Sequence, residues 1–141
     1  MTMTEKYKIL AKYIKDISSE TPNIETYLFA KENISKYQLS IDINSKAIKD
    51  KHLEINTSLK YEDKTNKRKS YFEIIFSTII RVNENIKETK ELQKIVLCDV
   101  QNEIYPDLEK SLITLLSMSG YPGLKFEKKI DFENLYNKKF N

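Results

Sequence analysis

Apolar and polar positions alternate along the first 82 residues and then change period. Tyr37, Leu39, Ile41 and Ile43 share one side of a segment whose other side is Gln38, Ser40 and Asp42. Leu53, Ile55, Thr57, Leu59 and Tyr61 repeat the rule against Glu54, Asn56, Ser58 and Lys60. Strict period-two patterning of this kind predicts half-buried antiparallel strands with one wet face. Tyr71–Val82 is more apolar, with Phe72, Ile74, Phe76, Ile80 and Val82 on one face and Ile75 and Ile79 on the other. It reads as a central strand or one that meets another subunit. Tyr7–Ile17 alternates loosely, with Tyr7, Ile9, Ala11 and Tyr13 on one side and Leu10 and Ile14 on the other, and is assigned as the first strand. Between them, Thr21-Pro22-Asn23 breaks the chain, and residues 25–32 form a helical turn or an ordered crossover.

From Leu92 the period becomes helical. Leu92, Val96, Val100, Ile104, Leu108, Leu112 and Leu116 recur every fourth residue, opposite Glu91, Asp99, Gln101, Glu103, Glu109 and Lys110. Pro106 falls inside this run, so a kink is expected there, or a helix ending near Tyr105 and a second continuing from it. Gly120 and Tyr121-Pro122-Gly123 end it. Phe132, Leu135 and Tyr136 follow at helical spacing, with Asp131 as the N-cap. Strands first and helices after predict one α+β domain over residues 1–141. Its four-stranded antiparallel sheet spans residues 7–82, and long C-terminal helices within 87–140 pack on one face.

Composition narrows the function. Apolar residues make up 40% and charged residues 32% of the 141, which suits a folded domain with a modest core. The net charge of +3 is the small difference of 24 basic and 21 acidic residues, a mixed surface that does not imply a nucleic-acid partner. Lys64, Lys67, Arg68 and Lys69 form a basic cluster, but Glu62 and Asp63 flank it, and it reads as a solubilising hairpin connection. No apolar run reaches membrane-spanning length, and no signal-peptide pattern opens the chain. The single Cys98 fits a reducing cytoplasm and a small apolar filler beside the helix stripe.

Catalytic chemistry is hard to assemble from these residues. His52 is the one histidine and stands on the polar face of its strand, where a metal would lack nitrogen and sulfur partners. Two glycines cannot build a phosphate-cradling loop. The carboxylate pairs Glu54/Glu62 and Asp99/Glu103 read as wet faces. The expectation is a protein that is no enzyme and uses no cofactor or metal. What remains is aromatic surface: Tyr27, Phe29, Tyr37, Tyr121, Phe126, Phe132, Tyr136 and Phe140 gather in the crossover and C-terminal segments. Such a surface marks an interface or groove, or else a terminal helix that caps the core.

An ordered set of short motifs resembles the SecB protein-export chaperones. Lys15-Asp16-Ile17-Ser18-Ser19-Glu20-Thr21-Pro22-Asn23 is similar to the family's KDIS-x-E-x-PN signature. Asn102 with Tyr105-Pro106 resembles N-x-x-FP, Ser119-Gly120-Tyr121-Pro122-Gly123-Leu124 resembles G-x-FP-x-L, and Asp131–Tyr136 resembles the closing NFDALF helix. The resemblance implies a homotetramer, a dimer of dimers with long helices between two extended sheets. It implies an ATP-independent holdase that keeps unfolded preproteins translocation-competent in hydrophobic grooves and delivers them to the SecA motor. Mapped onto this chain, the groove is Tyr27, Phe29, Tyr37, Leu39, Ile41, Phe132, Leu135 and Tyr136, and the SecA contact is Asp16, Glu20, Tyr71 and Glu73. No nucleic acid and no membrane insertion are implied. Two departures stand beside it. Familiar members are strongly acidic with an acidic tail, whereas residues 125–141 here hold five lysines against three acids. The glycine-rich turn expected after the fourth strand is also missing. Alternatives are a SecB-like chaperone dedicated to an antitoxin in a toxin–antitoxin–chaperone module, and a client-free structural oligomer.

Overall fold

The computed structural model describes residues 5–64, 70–126 and 129–140. Lys67, Arg68 and Lys69 of the basic cluster therefore lie outside the described residues. Four strands, β1 (Tyr7–Glu20), β2 (Gln38–Ala47), β3 (His52–Glu62) and β4 (Tyr71–Val82), form one antiparallel sheet in the order β1-β4-β3-β2. The crossover between β1 and β2 is a full helix, α1 (Ile24–Asn33), followed by a 3-10 turn over Ile34–Lys36. Asn23 caps α1, its side-chain oxygen accepting from the Thr26 amide at 2.8 Å.

β3 follows the alternation residue by residue: Leu53, Ile55, Thr57, Leu59 and Tyr61 are buried and their neighbours half-buried. β4 is one of two interior strands, paired with β1 on one side and β3 on the other. β1 departs from simple alternation. Register shifts between Ile9 and Ala11 and between Ile14 and Asp16 leave Leu10 and Lys15 as extra residues. Each bulge reverses the phase, so Tyr7, Ile9, Lys12, Ile14 and Ile17 pair with core-facing β4 residues, while Ala11 and Tyr13 stand on the opposite face. The expected grouping of Tyr7, Ile9, Ala11 and Tyr13 on one side is thus replaced by two short runs.

The helical run begins at α2 (Thr89–Lys94), passes through a π-helical turn over Ile95–Asp99 and continues as α3 (Val100–Met118). It does not break at Pro106. Pro106 is exposed, as is Asn102, whose carbonyl loses its donor to the proline ring. Ile104, Tyr105, Leu108 and Leu112 on either side of the proline are all buried and hold the helix to the sheet. The irregularity lies instead at Ile95–Asp99, where the Val100 amide reaches back to the Ile95 carbonyl. Gln101, assigned to the wet face by spacing, is wholly buried beside this turn. Its amide donates to the Val96 carbonyl at 3.1 Å, and its oxygen accepts from the Thr57 hydroxyl on β3 at 3.0 Å.

Gly120, at φ +103°, closes α3 in a Schellman arrangement: the Tyr121 amide donates to the Leu116 carbonyl and the Gly120 amide to the Ser117 carbonyl. The last helix, α4 (Phe132–Phe140), has Asp131 as N-cap, its carboxylate accepting from the Asn134 amide at 3.0 Å. After β4, Asn83 takes the place of a glycine turn, accepting from the Asn85 amide and donating to the Glu5 carbonyl, both at 2.9 Å.

Candidate binding groove and acidic face

On the helix side of the sheet, β2 is an outer strand with a half-buried inner face, Leu39, Ile41 and Ile43. Opposite it lie Leu124, Phe126, Ile130 and α4. Two hollows lie between them. The larger, about 810 Å³, is bounded by Tyr37, Leu39 and Tyr61 on one side and by Leu124, Phe126 and Ile130 on the other. The second, about 210 Å³, lies between Ile41, Ile43 and Leu97 and the α4 residues Phe132, Leu135 and Tyr136. Leu39 and Ile41 are successive inward positions of β2, so one strand face serves both hollows.

The aromatic rings set the walls. Tyr61 meets Phe126 edge-on with ring centres 5.2 Å apart and Tyr37 at 5.7 Å. Phe132 packs edge-on against Tyr105 at 5.4 Å, and the Tyr136 hydroxyl donates to the Lys90 carbonyl at 3.2 Å, fixing α4 to α2. Burial pushes the Tyr61 hydroxyl pKa up to about 12, with the Tyr37 hydroxyl adding to the push, and burial likewise raises Tyr37. Both rings therefore present neutral hydroxyls at ordinary pH. Tyr61 donates its own to the Ile34 carbonyl, which holds the 3-10 turn before β2.

Six of the eight groove residues named from sequence line these hollows: Tyr37 and Leu39 the first, Ile41, Phe132, Leu135 and Tyr136 the second. They differ in reach. Tyr37, Phe132 and Tyr136 are buried and form floor, whereas Leu135 is 43% exposed on the rim. Tyr27 and Phe29 line neither hollow. Tyr27 stacks on Tyr121 at 5.4 Å. Leu97, Leu124 and Ile130 also line them and were not singled out, and Phe126, noted only as part of the aromatic surface, joins the first. The two-residue spacing from Leu124 to Phe126, in phase with Ile130, is the signal of an extended apolar edge there.

The four acidic-face residues come together on the other side of the sheet. Glu20 pairs with Tyr71, Ser18 with Glu73, and Asp16 with Ile75, placing Asp16, Glu20, Tyr71 and Glu73 on one patch at neighbouring registers. Lys60 borders it, with its ammonium 5.2 Å from the Tyr71 ring centre, and Ser58 donates to Glu73 at 3.4 Å. Further along the same face Lys15 reaches Glu54 at 2.9 Å. That pair lowers the Glu54 carboxyl pKa, chiefly through the hydrogen bond.

β1 leaves Leu10, Tyr13, Ile14 and Ile17 each nearly half exposed. Polar ties join it to the helix layer: Lys12 meets Asp107 at 2.9 Å, and the Tyr7 hydroxyl donates to Glu103 at 2.6 Å. Cys98 is buried, and burial raises its thiol pKa. Among the described residues no group of three or more His, Cys, Asp or Glu is arranged to hold a metal, and no helix is long and apolar enough to cross a membrane.

Comparison with known proteins adds to this geometry. Residues 2–141 match the family model described as "Preprotein translocase subunit SecB". A Pelagibacter ubique (strain HTCC1062) protein assigned as a protein-export SecB is 54% identical over 140 residues, which cover 99% of this chain and 100% of the relative. The protein-export protein SecB of Rhodospirillum centenum is 26% identical over 91% of this chain and 76% of its own. Among solved structures, a SecB-like chaperone of Mycobacterium tuberculosis in complex with a ChAD peptide from an antitoxin superposes with a TM-score of 0.65 at 13% identity. That superposition covers 89% of this chain and 88% of the other, and it is a likeness of fold.

Proposed function

The chain belongs to the SecB family of protein-export chaperones, and on that premise we propose that it is an ATP-independent holdase for unfolded preproteins, delivered onward to SecA. The observation that carries this reading is the pair of open apolar hollows along β2, walled by aromatic rings and set beside a free strand edge. Apolar burial is non-directional, so such a groove accepts many sequences without reading any one closely. The outer backbone of β2 offers unpaired donors and acceptors to an extended segment lying in the groove. Clients would be held on Leu39, Ile41 and Leu135, with Tyr37, Phe132 and Tyr136 as floor.

The acidic patch of Asp16, Glu20 and Glu73 around Tyr71 faces away from the groove, so a SecA tail bound there would not compete with client. The nearly half-exposed apolar residues of β1 support assembly through that strand, in a homotetrameric dimer of dimers. Light scattering followed by addition of a reduced, unfolded preprotein tests the whole reading. A tetramer that captures the client in a stable complex is expected. A monomer, or a tetramer that ignores unfolded chains, overturns it. Capture of a single antitoxin and of no preprotein would replace it with the antitoxin-dedicated role.

A further inference from the structure

Resting on that reading, we propose that the larger hollow selects unfolded segments whose apolar residues are flanked by Asp or Glu. Its walls, Leu39 and Tyr61 facing Phe126 and Ile130, take an apolar side chain, and among the described residues its charged lining is Lys125 and Lys129, both exposed. No carboxylate is among the described residues that line it. The backbones of two more lysines adjoin it. Gln38, on the cavity wall, donates its side-chain amide to the Lys36 carbonyl at 3.1 Å and accepts from the Lys64 backbone amide at 2.9 Å. The acids of the neighbouring β3 end are Glu62 and Asp63. Glu62 stands 3.8 Å from the Lys60 ammonium, and Asp63 lies within electrostatic reach of the Tyr37 hydroxyl.

Lys125 and Lys129, the charged groups among the described lining residues, give the mouth of the hollow a positive field, and its apolar walls of low dielectric concentrate it. An apolar side chain seated between Leu39 and Phe126 displaces water and brings the flanking residues of its segment to the height of Lys125 and Lys129. A carboxylate there gains a partner, whereas a lysine or arginine there meets like charge. Rim charges of this kind discriminate between partners more than they add affinity.

The test uses three labelled peptides of equal length with one shared aromatic–aliphatic core, flanked by Asp, Asn or Lys, titrated against the full chain by fluorescence anisotropy. The Asp-flanked peptide is expected to bind about threefold to tenfold tighter than the Asn-flanked one at low salt, and the Lys-flanked peptide weaker. The gap closes at high salt. K125Q/K129Q removes the order, so that the three peptides bind alike. Equal affinities in the unsubstituted chain, or the reverse order, overturn the proposal while leaving the holdase reading intact. Failure of all three peptides to bind overturns both. A change in solution mass on K125Q/K129Q assigns the lysines to a contact between copies of the chain and likewise overturns it.

Discussion

The Tyr27 ring occupies the space that a side chain at Gly120 would need. A Cβ built on Gly120 falls 2.8 Å from Tyr27 Cε1, and the Tyr27 hydroxyl donates to the Gly120 carbonyl at 3.3 Å. Gly120 therefore does two things at once: it supplies φ +103° for the helix end and clears room for the crossover helix. Gly120→Ala should cost about 1–3 kcal/mol from backbone strain, with displacement of Tyr27 adding to it. Thermal denaturation reads the loss. Gly123→Ala, also at positive φ but in open space, should show the strain without the clash.

Leu39→Asp separates groove from core. Leu39 is half-buried in the isolated chain, so its folding and oligomer should survive. The variant loses the apolar burial that a client would complete, about 1.5–3 kcal/mol, or roughly tenfold to a hundredfold in affinity. Anisotropy with an unfolded client measures this. A fall to monomers would place Leu39 in a subunit contact.

Glu73→Lys reverses the centre of the acidic patch. Ser58 and Lys60 are its neighbours, and its carboxylate is half exposed, so the fold should tolerate the change. Binding of the SecA C-terminal tail should weaken several-fold and lose part of its salt dependence. Client capture should be unaltered, because the patch and the groove lie on opposite faces of the sheet. Unchanged tail binding removes Glu73 from the contact.

The Tyr61 hydroxyl makes alkaline stability a readout of the groove wall. Its folded pKa stands near 12 against 10.0 for a free tyrosine, so the neutral form is favoured in the folded chain. The associated stability is complete below pH 10 and is lost as pH rises through 10 towards 12, by about 3 kcal/mol. Tyr61→Phe forfeits the hydrogen bond to the Ile34 carbonyl, about 1 kcal/mol at neutral pH. It also escapes the alkaline loss. Denaturation curves of the two proteins should converge above pH 10 and then cross.

β2, β3 and β4 were legible because each keeps one phase along its length; the buried positions of β3 are the alternating set without exception. β1 was less legible, since two bulges reverse its phase and alternation has no means of announcing an extra residue. Of the two readings of Pro106, the helix end is not found, for a related reason: a proline's cost depends on which side of the helix its orphaned carbonyl faces, and that is decided by tertiary packing. Gln101 reads as a surface residue until Thr57 is brought across from β3 to meet it. Of the site, aromatic composition pointed to Tyr37, Phe132 and Tyr136. The contribution of Leu97 and Leu124 needed the chain to be folded before those side chains shared a wall with β2.

The π turn at Ile95–Asp99 works as a one-residue splice in an otherwise regular rod. An apolar repeat of four drifts by about 40° per step on a 3.6-residue helix, so the row from Leu92 to Leu116 would wind off the sheet if nothing reset it. One additional residue in the turn rotates everything upstream by about 100° about the axis. The rotation keeps Leu92 and Val96 against Ile43 at the end of the groove. Deleting Leu97 would convert the turn to plain α-helix and swing Leu92 away from β2 while leaving Val100–Met118 in register. The groove would then be shortened at one end, with the rest of its length still able to hold a chain.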